Sequence, residues 1–444
     1  MTKVAFIGLG CEKNIINTEK MMGQCKNAGF QLMDELEQVD VAIINTCGFI
    51  ESAKAEALET IFEVAQLKAE GKVKKIILAG CLVQRYQEEI AKELPEVDGF
   101  LGVGSFQEIA EAVEAVMKGE RVSRFGDLAN LQLEGERVLT SAPATSYLKI
   151  ADGCNNRCAY CCIPMIRGDF KSRPMENIME EAEKLVEDGT RELILIAQDT
   201  TNYGIDLYGE RKLCALIREI AKIKDLQWLR LLYLYPDKVS DELIQLMAEE
   251  EKIIPYIEMP IQHASGKILS AMNRPGDDES LLETIEKIRA KLPNVALRTT
   301  LIVGFPGETD EDFEILCNFV RAAKFDKLGV FTFSPEEGTP AYEMPHQIEE
   351  PIKERRQEIL EMIQAEVAEE KQAALIGKDL TVLVEGYDRF GECWYGRSFM
   401  EAPDIDGKIF FTCQSAVKSG DFVTVTIEET MDFDLLGTMK EDIR

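Results

Sequence analysis

Three thiols recur with the spacing C-x3-C-x2-C in the segment Cys154-Asn155-Asn156-Arg157-Cys158-Ala159-Tyr160-Cys161. The apolar run Tyr147–Ala151 precedes this segment, so we expect the cysteines on a loop just past the end of a strand. Because cluster irons bind cysteine sulfur, three thiolates on one short loop can hold three corners of a [4Fe–4S] cube. Cys162 adjoins Cys161 and would have difficulty reaching a separate corner. One iron is therefore left open to an outside ligand.

A zinc site is the main alternative for these thiols. Structural zinc sites are closed by four ligands, usually cysteine and histidine. The chain has only two histidines, His263 and His346, and both lie far from the cysteine segment in sequence. We therefore favour an iron–sulfur cluster over a zinc site and over unligated thiols.

The size and composition of the chain indicate a protein of two or three domains. It has 444 residues, of which 45% are hydrophobic. No run approaches the roughly 20 apolar residues of a membrane span, and Met1–Phe6 reads as a first strand, not as a signal peptide. We expect a cytoplasmic protein without membrane association. The twelve cysteines are then more typical of metal sites than of disulfides.

The formal net charge of −30 limits the partners that the protein can bind. Nucleic-acid-binding proteins usually present a basic face, because neutralising phosphates supplies much of their affinity. Direct nucleic-acid binding is therefore not expected. An acidic surface instead favours a basic partner, although solubility alone would also account for the charge.

Residues 1–125 alternate strand-like and helical patterns. Strand-like runs occur at Val4–Gly8, Val39–Asn45 and Lys75–Gly80, and a helical pattern at Glu51–Glu70 separates the second run from the third. Strands that alternate with helices predict a parallel sheet in an open α/β domain. In such sheets, ligands bind beyond the carboxyl ends of the strands.

A second set of three thiols follows these strand ends. Cys11, Cys47 and Cys81 each lie shortly after one of the predicted strands, so the sheet would bring them to one edge. The spacing matches no zinc finger, but it suits a second cluster that is assembled by the topology of the sheet. The alternative is that each cysteine is simply a small buried residue. Three equivalent positions favour the cluster, whereas Cys25 lies within a helix and is expected in the core.

The rest of the chain predicts two further domains. Residues 126–145 are polar and irregular and read as a linker, and residues 146–372 read as a partial TIM-like (β/α)6 barrel with its active site at the carboxyl ends of the strands. The charged helix Glu349–Gln372 is expected to face solvent. Residues 374–444 predict a small antiparallel β-barrel. The six strand-like runs of the central domain are Tyr147–Ala151, Glu192–Ala197, Trp228–Tyr233, Tyr256–Met259, Ala296–Val303 and Lys327–Phe333.

The cysteine segment resembles the signature loop of the radical S-adenosylmethionine (SAM) enzymes, in which Cys-x3-Cys-x-Tyr-Cys follows a strand. In those enzymes the open iron chelates the amino and carboxylate groups of SAM. The three predicted domains together resemble the methylthiotransferase family, whose members join an N-terminal cluster domain, a radical SAM barrel and a C-terminal TRAM barrel. This resemblance covers nearly the whole chain.

The family has two branches that concern this sequence. One modifies adenosine in tRNA, and the other modifies an aspartate of small-subunit ribosomal protein twelve. Lys13 stands where the tRNA enzymes usually show methionine, and residues 374–444 carry 7 Lys and Arg against 14 Asp and Glu. An acidic TRAM barrel suits a basic ribosomal protein. Modification of tRNA remains the alternative. The segments that resemble the ribosomal-protein branch are Gly10–Asn14, Asn45–Ile50, Gly80–Tyr86, Pro260–Ser265 and Phe333–Pro340.

The resemblance implies a reaction and its cofactors. Cys154, Cys158 and Cys161 would hold a [4Fe–4S] cluster that binds SAM and cleaves it to a 5′-deoxyadenosyl radical, which abstracts hydrogen from the β-carbon of the target aspartate. A second [4Fe–4S] cluster on Cys11, Cys47 and Cys81 would carry the sulfur, which a second SAM methylates. The reaction would need an electron donor and a sulfur donor. A monomer is expected.

The resemblance also indicates residues that would contact SAM. Tyr160 occupies the place of an aromatic beside the adenine, unless it only packs. Glu192 would meet the amino group, although its motif departs from the usual Gly-Gly-Glu form, and Gln198 would line the pocket. Arg298 could pair with a carboxylate or form a structural salt bridge. Gly304 could admit the adenine by a close backbone approach.

Overall fold

The computed structural model describes residues 1–140 and 144–440. The predicted linker 126–145 and the predicted C-terminal domain 374–444 therefore each lie partly outside the described residues. Among the helices within these ranges, none is long and apolar enough to cross a membrane.

The N-terminal region forms a six-stranded, fully parallel sheet with strand order β2-β1-β3-β4-β5-β6. The predicted open α/β fold is confirmed, and the structure adds three short strands that the sequence pattern did not indicate. The strands are β1 (Lys3–Gly8), β2 (Gln31–Met33), β3 (Val39–Thr46), β4 (Val73–Gly80), β5 (Gly99–Leu101) and β6 (Val122–Arg124), and the helices are α1 (Glu12–Asn27), α2 (Glu51–Ala69), α3 (Cys81–Glu93) and α4 (Ile109–Met117).

Both faces of this sheet are buried, which explains the unbroken apolar runs of its central strands. Along β4, Ile76 and Leu78 pack into one hydrophobic cluster, and Ile77 and Ala79 pack into the cluster on the other face. Successive side chains of a strand point to opposite faces, so a strand that is covered on both sides needs apolar residues at every position.

The central region is a partial barrel of six parallel strands in the order β14-β13-β12-β11-β10-β7. The predicted (β/α)6 barrel is confirmed. Its strands are β7 (Thr145–Lys149), β10 (Glu192–Ile196), β11 (Trp228–Leu231), β12 (Ile253–Glu258), β13 (Ala296–Val303) and β14 (Lys327–Thr332), and β8 (Ala151–Asp152) pairs with β9 (Lys171–Ser172) beside it. The helices are α5 (Ile163–Arg167), α6 (Met175–Glu187), α7 (Ile205–Tyr208), α8 (Leu213–Ala221), α9 (Asp241–Glu249), α10 (Gly266–Ala271), α11 (Asp278–Lys291), α12 (Asp310–Ala323) and α13 (Glu350–Ala373).

Helix α13 does not lie free in solvent as its charge pattern predicted. Leu360 and Ile363 are buried in the core of the barrel domain. Two charged residues of the helix are buried as well: Lys353 donates to the carbonyl of Phe333 at 2.9 Å, and Arg356 contacts the chain at Glu308. Long cationic side chains bury their methylene stems while their heads find polar partners, so a charge pattern alone conceals such a face.

The C-terminal region is a closed five-stranded barrel in the order β15-β16-β17-β19-β18. The predicted β-barrel is confirmed, with one difference: β17 and β19 pair in parallel, whereas the other pairs are antiparallel. The strands are β15 (Asp379–Asp388), β16 (Cys393–Arg397), β17 (Ile409–Thr412), β18 (Phe422–Met431) and β19 (Asp434–Met439).

A buried ionic network attaches the C-terminal barrel to the amino end of the central barrel. Glu192, the first residue of β10, has no exposed surface and lies 2.8 Å from Arg230 and 2.7 Å from Arg397. Burial alone would raise the pKa of Glu192, but Arg397 and Arg230 lower it to about 2. Arg298 of β13 makes a second contact of this kind, 2.5 Å from Asp406. The two barrels are therefore joined at the end opposite the carboxyl ends of the strands.

We predict that Arg397→Ala strongly destabilises the protein. Removing one partner of a buried ion pair leaves the other charge buried and costs about 3–5 kcal/mol. The midpoint of thermal unfolding should therefore fall by several degrees. Lys440→Ala is the matched control, because Lys440 pairs with Asp379 at a largely exposed position and its loss should leave the midpoint unchanged. Equal midpoints for the two variants would contradict the prediction.

Candidate functional site

The N-terminal sheet brings its three predicted thiols together at its carboxyl edge. Cys11 caps the start of α1, Cys47 directly follows β3, and Cys81 begins α3 directly after β4. The strands that precede them, β1, β3 and β4, are neighbours in the sheet. Burial and the nearby thiols of Cys81 and Cys11 raise the pKa of Cys47 to about 11. The expectation that topology assembles these thiols agrees with the structure.

Two glycines allow the cysteine turns to approach each other. Gly10 has a φ of +86°, and a Cβ there would lie 2.7 Å from the Cβ of Cys47. A Cβ on Gly48 would lie 2.6 Å from the backbone of Leu82. Contacts this short are sterically forbidden, so a side chain at either position would push the thiol-bearing turns apart.

The second set of thiols lies on the loop that follows β8. Burial and the neighbouring thiols of Cys158 and Cys154 raise the pKa of Cys161. The Sγ of Cys158 lies 3.1 Å from the hydroxyl of Tyr235, and Arg274 Nη1 donates to the same sulfur at 3.9 Å. Thiolates that accept such hydrogen bonds are typical of iron–sulfur sites, so these residues suit a cluster.

Asp199 holds this loop in place. It follows β10 and has no exposed surface. Its Oδ2 accepts hydrogen bonds from Asn156 at 2.8 Å, Lys238 at 2.7 Å and Asn202 at 2.7 Å. Asn156 also donates to the Sγ of Cys154 at 3.5 Å. One carboxylate thus ties the cysteine loop to the ends of two barrel strands.

Arg167 connects the central barrel to one thiol of the N-terminal set. This residue ends α5, is 1% exposed and donates through Nη2 to the Sγ of Cys81 at 3.2 Å. Its Nη1 donates to Asp152 at 3.1 Å, and Lys149 reaches the same carboxylate at 2.7 Å. The guanidinium belongs to the central barrel, whereas the sulfur belongs to the N-terminal sheet. The carboxyl ends of the two sheets therefore face one another across this contact.

Two of the predicted SAM contacts lie at these carboxyl ends. Gln198 donates to Asp152 at 2.8 Å, and its Oε1 is buried without a hydrogen-bond partner among the described residues. Tyr160 lines a cavity of about 650 Å³ together with Gln262, Ile302 and Phe333. This cavity also touches the N-terminal domain, so it opens at the junction of the two domains and can accept a ligand there.

The structure does not bring the other three predicted contacts into that space. Glu192 and Arg298 lie in the ion pairs at the opposite end of the barrel, which corrects the expectation for Glu192 and favours the structural salt bridge for Arg298. Gly304 has a φ of +74°, and a Cβ there would lie 2.3 Å from Lys353 Cγ. The group that lies close to Gly304 is therefore the aliphatic part of the Lys353 side chain.

Sequence reasoning missed several polar residues of the site. Arg167, Lys238 and Arg274 all contact a thiol or the carboxylate that holds the cysteine loop. No local motif marks them, because each comes from a different loop and only the folded chain brings them together. One residue could have been found from its position, because Asp199 lies two residues after the end of the predicted strand Glu192–Ala197.

All twelve cysteines lie within the described residues, and none of them forms a disulfide. Among residues 1–140 and 144–440, no three His, Cys, Asp or Glu side chains converge as ligands of a single metal ion would. A cubane places its thiolates differently, because each binds a separate iron.

Three family models match the chain. They are Uncharacterized protein family UPF0004 over residues 3–102, the Radical SAM superfamily over residues 148–320 and the TRAM domain over residues 376–439. Each model falls on one of the three sheets described above. Together they define a radical SAM enzyme of three domains.

Curated relatives match over nearly the full length. The chain is 46% identical over 443 residues to a protein of Acetivibrio thermocellus called ribosomal protein uS12 methylthiotransferase RimO, with 98% of both chains covered. It is 48% identical over 437 residues to the protein of the same name from Pelotomaculum thermopropionicum, again with 98% of both chains covered. The chain therefore belongs to the RimO family of radical SAM methylthiotransferases.

Solved structures share the fold at low identity. The radical SAM methyltransferase TsrM from Kitasatospora setae, with tryptophan and a SAM analogue bound, matches with a TM-score of 0.57 and 14% identity, covering 87% of this chain and 79% of that one. The cobalamin-dependent SAM radical enzyme OxsB matches with a TM-score of 0.51 and 11% identity, covering 82% and 56%. At these identities the likeness concerns the fold alone.

We predict that Asp199→Ala loosens the cysteine loop. The substitution removes the acceptor for Asn156 and Lys238, so backbone amides of residues 154–161 should exchange with deuterium about tenfold faster or more in the metal-free protein. Asp169→Ala is the matched control, because Asp169 pairs with Arg157 of the same loop at an exposed position. If both variants exchange at the wild-type rate, Asp199 does not hold the loop.

Proposed function

We propose that this radical SAM methylthiotransferase adds a methylthio group to the β-carbon of an aspartate in ribosomal protein uS12. Family membership supports the reaction class and the substrate protein. The observation that carries the proposal is the contact between Arg167 of the barrel and the Cys81 thiol of the N-terminal sheet. It supports an arrangement in which two separate sets of three thiols would border one space and act on the same substrate residue.

The six cysteines are the proposed cluster ligands. Cys154, Cys158 and Cys161 would hold one [4Fe–4S] cluster, and a second would be held by Cys11, Cys47 and Cys81. The cavity beside Tyr160 is the proposed place of SAM. When bound, these groups supply the radical that removes a hydrogen atom and the sulfur and methyl groups that replace it.

The protein contributes position and a dry environment. Asp199 and Asn156 orient the barrel loop, and Arg167 fixes one sulfur of the N-terminal set while it pairs with Asp152. The contact side chains are buried, with Arg167 and Asp152 each about 1% exposed. Exclusion of water protects a reactive radical from side reactions.

The acidic balance of the chain supports a basic protein as substrate. The net charge is −30, and residues 374–444 carry 14 Asp and Glu against 7 Lys and Arg. Complementary potentials favour association with a cationic ribosomal protein and disfavour phosphate backbones. Because the C-terminal barrel is joined to the far end of the central barrel, it would contact uS12 at a distance from the reacting residue.

Several further features belong to the same proposal. The enzyme would act as a cytoplasmic monomer, since its substrate is a ribosomal protein and one chain supplies both thiol sets. It would need an electron donor and a sulfur donor. We also propose the domain division 1–125, 146–372 and 374–444, with 126–145 as the linker.

Iron content tests the two clusters. After anaerobic reconstitution, we expect about eight irons per chain in the wild type. Replacing Cys154, Cys158 and Cys161 by alanine should leave about four, and so should replacing Cys11, Cys47 and Cys81. A variant with Cys214→Ala and Cys393→Ala is the control and should keep the full load. If the N-terminal triple variant also kept it, the second cluster would not exist.

Substrate comparison tests the reaction. Reconstituted protein with SAM, sulfide and dithionite should add a methylthio group to uS12, detected by mass spectrometry of the intact protein and its peptides. Substituting the target aspartate of uS12 by alanine should abolish the product. Bulk tRNA incubated in parallel should show no methylthioadenosine after nucleoside digestion. Product on tRNA and none on uS12 would replace this proposal by the tRNA reaction.

A further inference from the structure

The hydroxyl of Tyr235 contacts one sulfur of the barrel cysteine loop. Tyr235 lies four residues after the end of β11 and is partly buried. Its Oη lies 3.1 Å from the Sγ of Cys158, which is the only hydrogen-bond partner of this hydroxyl within residues 1–140 and 144–440. A cysteine that binds a metal has lost its proton. In a site that holds a cluster, Tyr235 would therefore be the donor of this hydrogen bond.

Two cations lie over the ring of Tyr235. The guanidinium carbon of Arg274 and the ammonium of Lys238 are each 4.3 Å from the ring centroid. Arg274 is 7% exposed and donates through Nη2 to the carbonyl of Pro260 at 2.6 Å, while its Nη1 donates to the same sulfur at 3.9 Å. Cations are attracted to the face of an aromatic ring. The phenol is therefore held in the orientation that directs its hydroxyl at the sulfur.

The charge beside Cys158 is positive. Asp199 accepts from Lys238 at 2.7 Å and balances the charge of that ammonium. In the described part of the chain, no carboxylate forms an ion pair with Arg274, whose recorded acceptors are a carbonyl oxygen and the Cys158 sulfur. A buried cation of this kind favours negative charge on the group beside it. The surroundings of Cys158 therefore suit a sulfur that carries negative charge.

Such surroundings favour the reduced state of an iron–sulfur cluster. Reduction by one electron adds one negative charge, and the cysteine sulfurs share in that charge. A hydrogen bond strengthens when its acceptor becomes more negative. Hydrogen bonds to the sulfurs are accordingly among the factors that set the reduction potential of a cluster.

We propose that Tyr235, held by Arg274 and Lys238, raises the reduction potential of the barrel cluster by donating a hydrogen bond to Cys158. The inference rests on the proposed function, which assigns a cluster to this cysteine loop. Tyr235 is a positioning residue, because it acts on the cluster through a ligand and does not touch the substrate. An external reductant supplies the electron, and the hydroxyl keeps its proton throughout. The consequence is that a weaker reductant is sufficient to activate the enzyme.

Tyr235→Phe tests the proposal, because it removes the hydroxyl and keeps the ring beneath the two cations. The background is the triple variant in which Cys11, Cys47 and Cys81 are alanine, so that the barrel cluster is observed alone. The reconstituted protein is titrated with dithionite in the presence of redox mediators and without SAM, and the reduced cluster is followed by electron paramagnetic resonance. We expect the one-electron reduction constant to fall about three- to tenfold. The midpoint potential then becomes about 30–60 mV more negative.

Tyr203→Phe in the same background is the matched control. Tyr203 has no exposed surface, and its hydroxyl donates at 3.1 Å to the carbonyl of Arg173 instead of to a sulfur. This variant removes a buried tyrosine hydroxyl of equal hydrogen-bond length, so it reports any general effect of loosened packing. Its midpoint potential should equal that of the background.

The potential separates the proposed role from a purely structural one. A midpoint potential does not depend on the fraction of chains that hold the cluster, so partial loading does not obscure the result. If Tyr235→Phe keeps the background potential or makes it more positive, or if Tyr203→Phe shifts it equally, the inference is overturned. A background chain that binds no iron would instead overturn the proposed barrel cluster, and the inference would fall with it.

Discussion

The buried guanidinium of Arg167 is the contact on which the arrangement of the site depends. It carries its charge at 1% exposure and finds its partners in two domains, the Asp152 carboxylate of the barrel and the Cys81 sulfur of the N-terminal sheet. A buried charge without partners is strongly destabilising, so burial of this guanidinium at the junction requires the partners that it finds there. The contact therefore joins the carboxyl end of the barrel to the turn that bears Cys81.

At the opposite end of the central barrel, buried ion pairs attach the C-terminal barrel. Glu192 is buried between Arg230 and Arg397, and Arg298 binds Asp406, so the C-terminal barrel is joined to the amino ends of the strands. The candidate site and the ion pairs that attach the C-terminal barrel therefore lie at opposite ends of the central barrel. A barrel permits this division because residues at the two ends of one strand never share a pocket.

This separation explains what the sequence could and could not predict. The cysteine sets were predictable because each follows the end of an apolar strand, and in a parallel sheet those ends meet. Glu192 and Arg298 were assigned to SAM by motif likeness, although Glu192 begins its strand and Arg298 lies in the first half of β13. Their positions along the strands already pointed away from the site. Position within a strand is therefore the more reliable guide in this fold.

The residues that could not be predicted share a different property. Arg167, Lys238 and Arg274 act through contacts between segments that lie far apart in sequence, and no periodicity encodes such contacts. Long cationic side chains also read as surface residues, as the burial of Lys353 in α13 demonstrates.

The geometry has one further consequence for the reaction. In an open α/β sheet and in a barrel alike, ligands bind at the carboxyl ends of the strands. Here the two carboxyl ends face each other, and Tyr233 bridges them by binding Glu12 of one domain while its amide holds Glu258 of the other. Under the proposed function, a substrate residue in this space would meet functional groups from both sheets. Removal of a hydrogen atom and addition of sulfur can then occur at one carbon, which two separate active sites would not allow.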